Sequence, residues 1–173
     1  MFLDFLKEKS IKKNLEVAIK NYSGPSPSSG IKRIGLLIDA TQVEQLEGVM
    51  GMASELKANS QVTTLCYVNK VRKGFHAFST FDSGAVNWKG HFKRKGEVEY
   101  FLNQTFDLLI SYYSQDNMLL RYITAAADAH FKVGFPIKGI RQLNDLVIDT
   151  ATDDVGGFAT ELINYLRILN RFD

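Results

Sequence analysis

The sequence predicts an α/β protein, a three-layer Rossmann-like sandwich with about five mainly parallel strands and an N-terminal amphipathic helix. Three observations carry that prediction. The C-terminal half alternates apolar runs of strand length with helical patterns: residues 106–113 (FDLLISYY), 117–129 (NMLLRYITAAADA), 131–135 (FKVGF), 145–149 (DLVID) and 155–169 (VGGFATELINYLRIL). Strands apolar on both faces and separated by helices belong to a parallel sheet covered on both sides. A second strand–helix–strand run, residues 31–69, precedes them, and a helical repeat set apart by a Ser/Pro/Gly stretch opens the chain.

Taken in order, residues 1–22 read as the amphipathic helix. Phe2, Phe5, Leu6, Ile11, Leu15, Ala18, Ile19 and Tyr22 recur mostly at three- and four-residue steps, with Lys and Glu between them. Residues 23–30 (SGPSPSSG) end that helix and form a tether of flexible or extended character, because prolines, glycines and serines offer nothing to bury. Residues 31–173 are then read as one α/β domain. Residues 31–39 (IKRIGLLID) are its first strand, expected at the centre of the sheet. Residues 40–57 are expected as a helix, with Thr41 as N-cap and Glu44 completing a capping box. The second strand is residues 61–69. The stretch 70–95 is the least regular, with short strands expected at 75–78 and 85–88, and a helix at 96–102 returns the chain to residue 106.

The bulk composition excludes several classes. At 173 residues, with 45% hydrophobic and 23% charged residues, the chain is long enough for a core that needs no disulfide or metal. The single cysteine, Cys66, lies in an apolar strand and reads as a buried packing residue rather than a ligand. Charges at Asp4, Lys7, Glu8 and Lys9 interrupt any secretion-signal pattern, and no run approaches a membrane span, so a cytoplasmic protein is expected. The net charge of +2 hides an uneven distribution. Residues 1–33 carry seven Lys/Arg against three acids, residues 70–95 carry seven against Asp82 alone, and residues 97–173 carry eleven acids against six bases. Two basic segments on an acidic remainder suggest one positive face.

Candidate sites follow from strand ends and from charge. Ligands of open α/β sheets bind beyond the carboxyl ends of the strands, where Asp39, Ser111, Asp149 and Asp153 fall. Each also has a structural reading: Asp39 as a cap for the following turn or helix, and the acids of residues 149–154 (DTATDD) as first-turn charges. The aromatic and basic residues of 70–95 offer Lys70, Arg72, Lys73, Trp88, Lys93, Arg94 and Lys95 as a nucleic-acid or partner surface, or as a solvated face around a small core. His76, His91 and His130 lack metal-ligand spacing, and no nucleophile elbow, Walker sequence or glycine-rich dinucleotide fingerprint is present. Neither a catalytic residue nor a cofactor or metal is therefore expected.

The run FLNQTFDLLI, then a helix and HFKVGF, then NDLVIDT and a final YLRIL helix, resembles an uncharacterised family of short α/β proteins, a domain of unknown function common in Bacteroidota. Phe101, residues 106–110, residues 132–134 and residues 145–149 are the matching positions. The resemblance implies a stand-alone cytoplasmic α/β domain and transfers no catalytic residue. The expected function is a non-catalytic binding or accessory protein that docks on a protein or ribonucleoprotein partner through its basic face or its tethered helix. A homo-oligomer through that helix is a further expectation. The alternative is a small enzyme or a nucleotide- or small-molecule-binding domain with its site at the carboxyl ends of the strands.

Overall fold

The computed structural model describes residues 2–27, 30–72, 78–138 and 143–170. Its centre is β1 (Arg33–Asp39), buried at every position after Arg33. β2 (Gln61–Tyr67) pairs with one side of it and β5 (Leu108–Tyr112) with the other, both parallel, with Ile38 opposite Cys66 and Tyr112. β3 (Ser79–Phe81) extends the sheet beyond β2, while β7 (Lys132–Gly134) and β8 (Leu146–Val147) extend it beyond β5. The order β3-β2-β1-β5-β7-β8 is a six-stranded, all-parallel sheet, with a separate parallel pair formed by β4 (Thr105–Phe106) and β6 (Asp128–Ala129).

Side chains alternate along each strand, so both faces need cover. Ile34, Leu36, Ile38, Leu108, Ile110 and Tyr112 pack beneath α2 (Leu46–Glu55) and α5 (Val155–Ile168). Leu37, Leu65 and Leu109 face the other layer, formed by α1 (Phe2–Asn21), α3 (Glu97–Leu102) and α4 (Met118–Ala126). Tyr112, Phe135 and Phe158 close the first layer as an aromatic trio with ring centroids 4.8–5.1 Å apart. Cys66 is fully buried there, and burial pushes its thiol up to about 12, which leaves it an inert packing group.

Several sequence expectations change. α2 starts at Leu46 rather than at residue 40, because the Asp39 carboxylate and carbonyl close a tight turn over residues 39–43. Gln45 is then the N-cap, with no side-chain cap bond, and the Thr41–Glu44 capping box does not form. Residues 128–129 leave α4 to form β6. In place of a strand at 85–88 there is a 3-10 turn, Ser83–Ala85, followed by a single antiparallel bridge between Val86 and Phe92. Of the strand expected at 75–78, residues 75–77 lie outside the described residues, and β3 begins at Ser79. Finally, the buried stripe of α1 is Ile11 and Leu15, packed on α4 of the same chain, while Phe2 and Phe5 are 74% and 62% exposed.

Gly35 marks a tightly packed point of the central strand. A Cβ there would stand 2.8 Å from Cδ2 of Phe106, whose ring in turn packs on Phe101 at 4.8 Å. Gly35→Ala is expected to lower stability by about 1–3 kcal/mol, the usual cost of overpacking a filled core. Chemical denaturation would measure it, and an unchanged midpoint would show that the Phe106 ring can move aside.

Candidate functional site

Strand order reverses at β1, whose neighbours on one side are reached first and on the other side later, so a crevice is expected between the carboxyl ends of β1 and β5. Asp39 ends β1 there and is buried. Its Oδ1 accepts from the Thr41 amide at 3.0 Å and the Thr41 hydroxyl at 2.6 Å. Ser111 lies one step inside β5, and its hydroxyl is turned toward α4, where it bonds Thr124 at 2.9 Å. Tyr113 bonds the same Thr124 hydroxyl at 2.8 Å, which makes a buried polar trio.

Asp149 and Asp153 are both exposed. Asp149 follows β8, three strand spacings or about 14 Å from β1. Asp153 lies closer, because the loop 149–154 folds back over β5: the Tyr112 hydroxyl donates to the Thr152 carbonyl at 2.9 Å. Burial pushes the Tyr112 phenol up to about 12, and the charges of Asp154 and Asp153 add to that effect. Asp154 caps α5 by accepting from the Gly157 amide at 2.9 Å. Thr150 Oγ1 is buried with no hydrogen-bond partner among the described residues. Tyr112 is thus the residue at this edge that sequence reading missed. Its only signal was a tyrosine ending a largely aliphatic strand.

The basic segment is built as a short hairpin on the opposite helical layer. Val86 bridges Phe92, and Phe92 stacks on Tyr122 of α4 with centroids 4.7 Å apart. Asn87 closes the turn: its Oδ1 accepts from the amides of Lys89 and His91, and its carbonyl accepts from Gly90. Gly90 has φ +73°, and a Cβ there would meet the Ser10 backbone of α1 at 2.6 Å. Asn14 of α1 donates to the carbonyls of Lys89 and Gly90, at 3.3 and 2.8 Å, and Lys7 Nζ donates to the Ser83 carbonyl at 2.8 Å. α1 is therefore seated on the hairpin, which joins the two basic segments of the sequence.

At the hairpin tip Trp88 is 61% exposed, with Lys89 Nζ 5.1 Å from its ring centroid. Lys70, Arg72, Lys93, Arg94 and Lys95 are exposed around it in sequence, and Lys73 lies outside the described residues. Asp82, the one acid of this segment, is turned to the backbone. It accepts from the amides of Val71 and Gly84 at 2.8 and 2.7 Å, and the Val71 bond above all holds its carboxyl below the usual range.

A third cluster, at the amino ends of the strands, went unread in the sequence. Lys132 opens β7 and is fully buried. Its Nζ donates to the Thr124 and Ala125 carbonyls at the end of α4, at 2.7 and 3.2 Å, and sits 4.0 Å from the Tyr22 ring centroid. The Tyr22 hydroxyl donates to Asp145 at 2.6 Å, and Asp145 also accepts from the Lys132 amide at 2.8 Å. Ser26 completes the strap: its amide donates to the His130 carbonyl at 2.9 Å, and its hydroxyl bonds His130 Nδ1 at 2.7 Å. Beside this strap α1 and α4 diverge around a cleft of 520 Å³ that Asn14, Tyr22, Ser26, His91, Tyr122 and Asp128 help to line. The signal was one lysine inside FKVGF, a run otherwise too apolar for a charge.

A family model matches residues 7–169, from the second turn of α1 to the end of α5. The chain belongs to the DUF6913 family, a family of unknown function. The family match takes in the strap, Lys132, the hairpin and both ends of the sheet, while the first turn of α1 precedes it. No curated protein and no solved structure matches the chain. Among the described residues, no group of three His, Cys, Asp or Glu is placed to hold a metal ion.

Burial lowers the Lys132 ammonium to about 8, an effect that Asp145 and Asp128 oppose. The folded state therefore gives up this proton before the unfolded chain does, and the penalty of a buried charge is relieved as pH rises from about 8 toward about 10.4. In urea titrations, wild type is expected to gain stability relative to Lys132→Met across that window. A pH-independent difference would mean that the two helix-end carbonyls hold the ammonium at its ordinary value.

Proposed function

We propose that this chain is a non-catalytic binding protein that docks on a ribonucleoprotein through the hairpin and the basic residues around it. The observation that carries the reading is the exposed Trp88–Lys89 pair on a turn locked by Asn87 and seated on α1. A large ring held in water beside cations suits base stacking and phosphate contact. Rigid support reduces the ordering cost of binding. Asp82, the one acid among residues 70–95, faces backbone amides, so the segment's outward charge is positive.

Lys70, Arg72, Lys93, Arg94 and Lys95 exchanged together for Gln are expected to leave the fold intact, since exposed substitutions cost about 0.5 kcal/mol or less each. Binding of wild type to a single-stranded RNA oligomer, followed by fluorescence anisotropy, is expected to weaken about a hundredfold between about 50 and 200 mM salt if five cations contact phosphate. The exchanged variant loses most of that affinity and its salt dependence, and Trp88→Ala loses affinity with the salt dependence kept. No binding of wild type at about 50 mM salt would overturn the reading.

A second reading, a small-molecule site at the β1/β5 crevice, is favoured by the unpaired Thr150 hydroxyl and by the loop that Tyr112 holds over that edge. Asp39→Asn separates a structural role from a binding one. A turn cap loses about 0.5–2 kcal/mol of stability, whereas a ligand carboxylate is neutral or stabilising when removed. Thermal melts of Asp39→Asn and Asp153→Asn decide between them.

A further inference from the structure

The first turn of α1 leaves three large apolar side chains in water: Phe2 at 74% exposure, Leu3 at 66% and Phe5 at 62%. They precede the part of the helix that is fastened down, where Lys7 bonds Ser83, Asn14 bonds the hairpin, and Ile11 and Leu15 are buried. At 100° per residue, Phe2, Phe5, Lys9, Lys12, Lys13 and Lys20 fall on one sector of the helix, turned away from Ile11 and Leu15. All six are exposed, and Glu16 is the one acid in that sector. Lys9 and Lys13 stand four and eight residues beyond Phe5, about 6 and 12 Å along the axis. With the helix entering tip first, the offset of Lys9 falls within the depth of about 5–10 Å to which interfacial apolar groups sink, and Lys13 stands above it.

From this arrangement we infer that α1 is a peripheral membrane contact: its apolar tip enters an anionic bilayer surface while Lys9, Lys12 and Lys13 bind the lipid phosphates. Charge selects the occupant, because Lys9, Lys12, Lys13 and Lys20 behind an apolar tip complement an anionic interface and outnumber the exposed acids Asp4, Glu8 and Glu16 of the same helix. Geometry separates this surface from nucleic acid. Phe2, Leu3 and Phe5 project over about 160° of the helix, so they cannot present parallel faces to stacked bases, and Leu3 has no ring. A bilayer accepts apolar groups in any orientation. The contact is superficial, since no helix among the described residues is long and apolar enough to cross a membrane. It uses a different face of α1 from the one on which Lys7, Ser10 and Asn14 meet the hairpin, so either surface can fail alone.

The test is co-sedimentation of the full chain with vesicles of phosphatidylcholine, plain or carrying about one-third phosphatidylglycerol, chosen to supply the anionic charge. Wild type is expected to pellet with the anionic vesicles and about tenfold less with the neutral ones. Phe2→Ser/Phe5→Ser and Lys9→Gln/Lys12→Gln/Lys13→Gln are each expected to lower vesicle binding about tenfold, with melting temperature and RNA binding unchanged. The Gln variant of Lys70, Arg72, Lys93, Arg94 and Lys95 is expected to keep its vesicle binding. Failure of wild type to pellet with anionic vesicles overturns the inference. So does vesicle binding that the Phe variant leaves unchanged, which would be charge adsorption alone. Loss of RNA affinity in the Phe variant would reassign the tip to nucleic acid.

Discussion

A parallel sheet has no face that it can leave in water, and most of this molecule follows from that constraint. β1 is buried at six consecutive positions, flanked by β2 and β5 and covered above and below. Each layer must then supply a matched apolar surface. α2 and α5 do so on one side with Val49, Met52, Phe158 and Leu162. The other side needs three helices, because α3 has six residues and α4 nine, too little to cover six strands. α1 completes that layer, which explains why a helix preceding the α/β unit in sequence is part of its core through Ile11 and Leu15. Gly35 serves the same constraint at atomic scale, since only a missing side chain admits the Phe106 ring against β1.

Holding α1 in place brings polar groups into the fold at sites where their partners are obligatory. The end of α4 leaves carbonyls without intrahelical donors, and Lys132 reaches up from β7 to supply them. Its buried charge lies against the face of Tyr22, and the Tyr22 hydroxyl is anchored by Asp145, which also fixes the start of β7. Ser26 repeats the attachment on His130. The chain that leaves α1 is in this way fastened at Tyr22 and again at Ser26, inside a stretch with the composition of a loose tether. The same helix supports the hairpin through Asn14, so the strap, α1 and the Trp88 turn form one connected support.

The two ends of the sheet treat their polar groups differently. At the carboxyl edge Asp39 closes its own turn and Asp154 caps α5. Tyr112 ties down the last loop. Each of these three groups has a hydrogen-bond partner within the fold. On the α1 side the exposed aromatics and lysines have no comparable structural use: Trp88, Phe2 and Phe5 face water on supports that are themselves well packed.

The layered parallel sheet was legible in the sequence because its cause is local and repetitive. Runs such as LLID and DLLISYY are apolar without alternation, and the helices between them carry a 3.6-residue period. The central place of β1, the buried Cys66 and the positive character of residues 70–95 were legible for the same reason. The chain's DUF6913 membership matches the resemblance that its C-terminal half carries. Other features depend on partners far away in the chain, which no local pattern encodes. Phe2 and Phe5 have the spacing of a buried stripe, yet α4 meets the helix only around Ile11 and Leu15. Thr41 and Glu44 have the spacing of a capping box, yet the Asp39 carboxylate takes the Thr41 amide first and delays the helix to Leu46. Lys132 is one charge inside an apolar strand run until α4 ends above it, and Tyr22 one more stripe residue until Asp145 comes within 2.6 Å. Periodicity fixes which face of an element is apolar. Only the tertiary structure decides which part of that face is covered and which polar groups are buried with it.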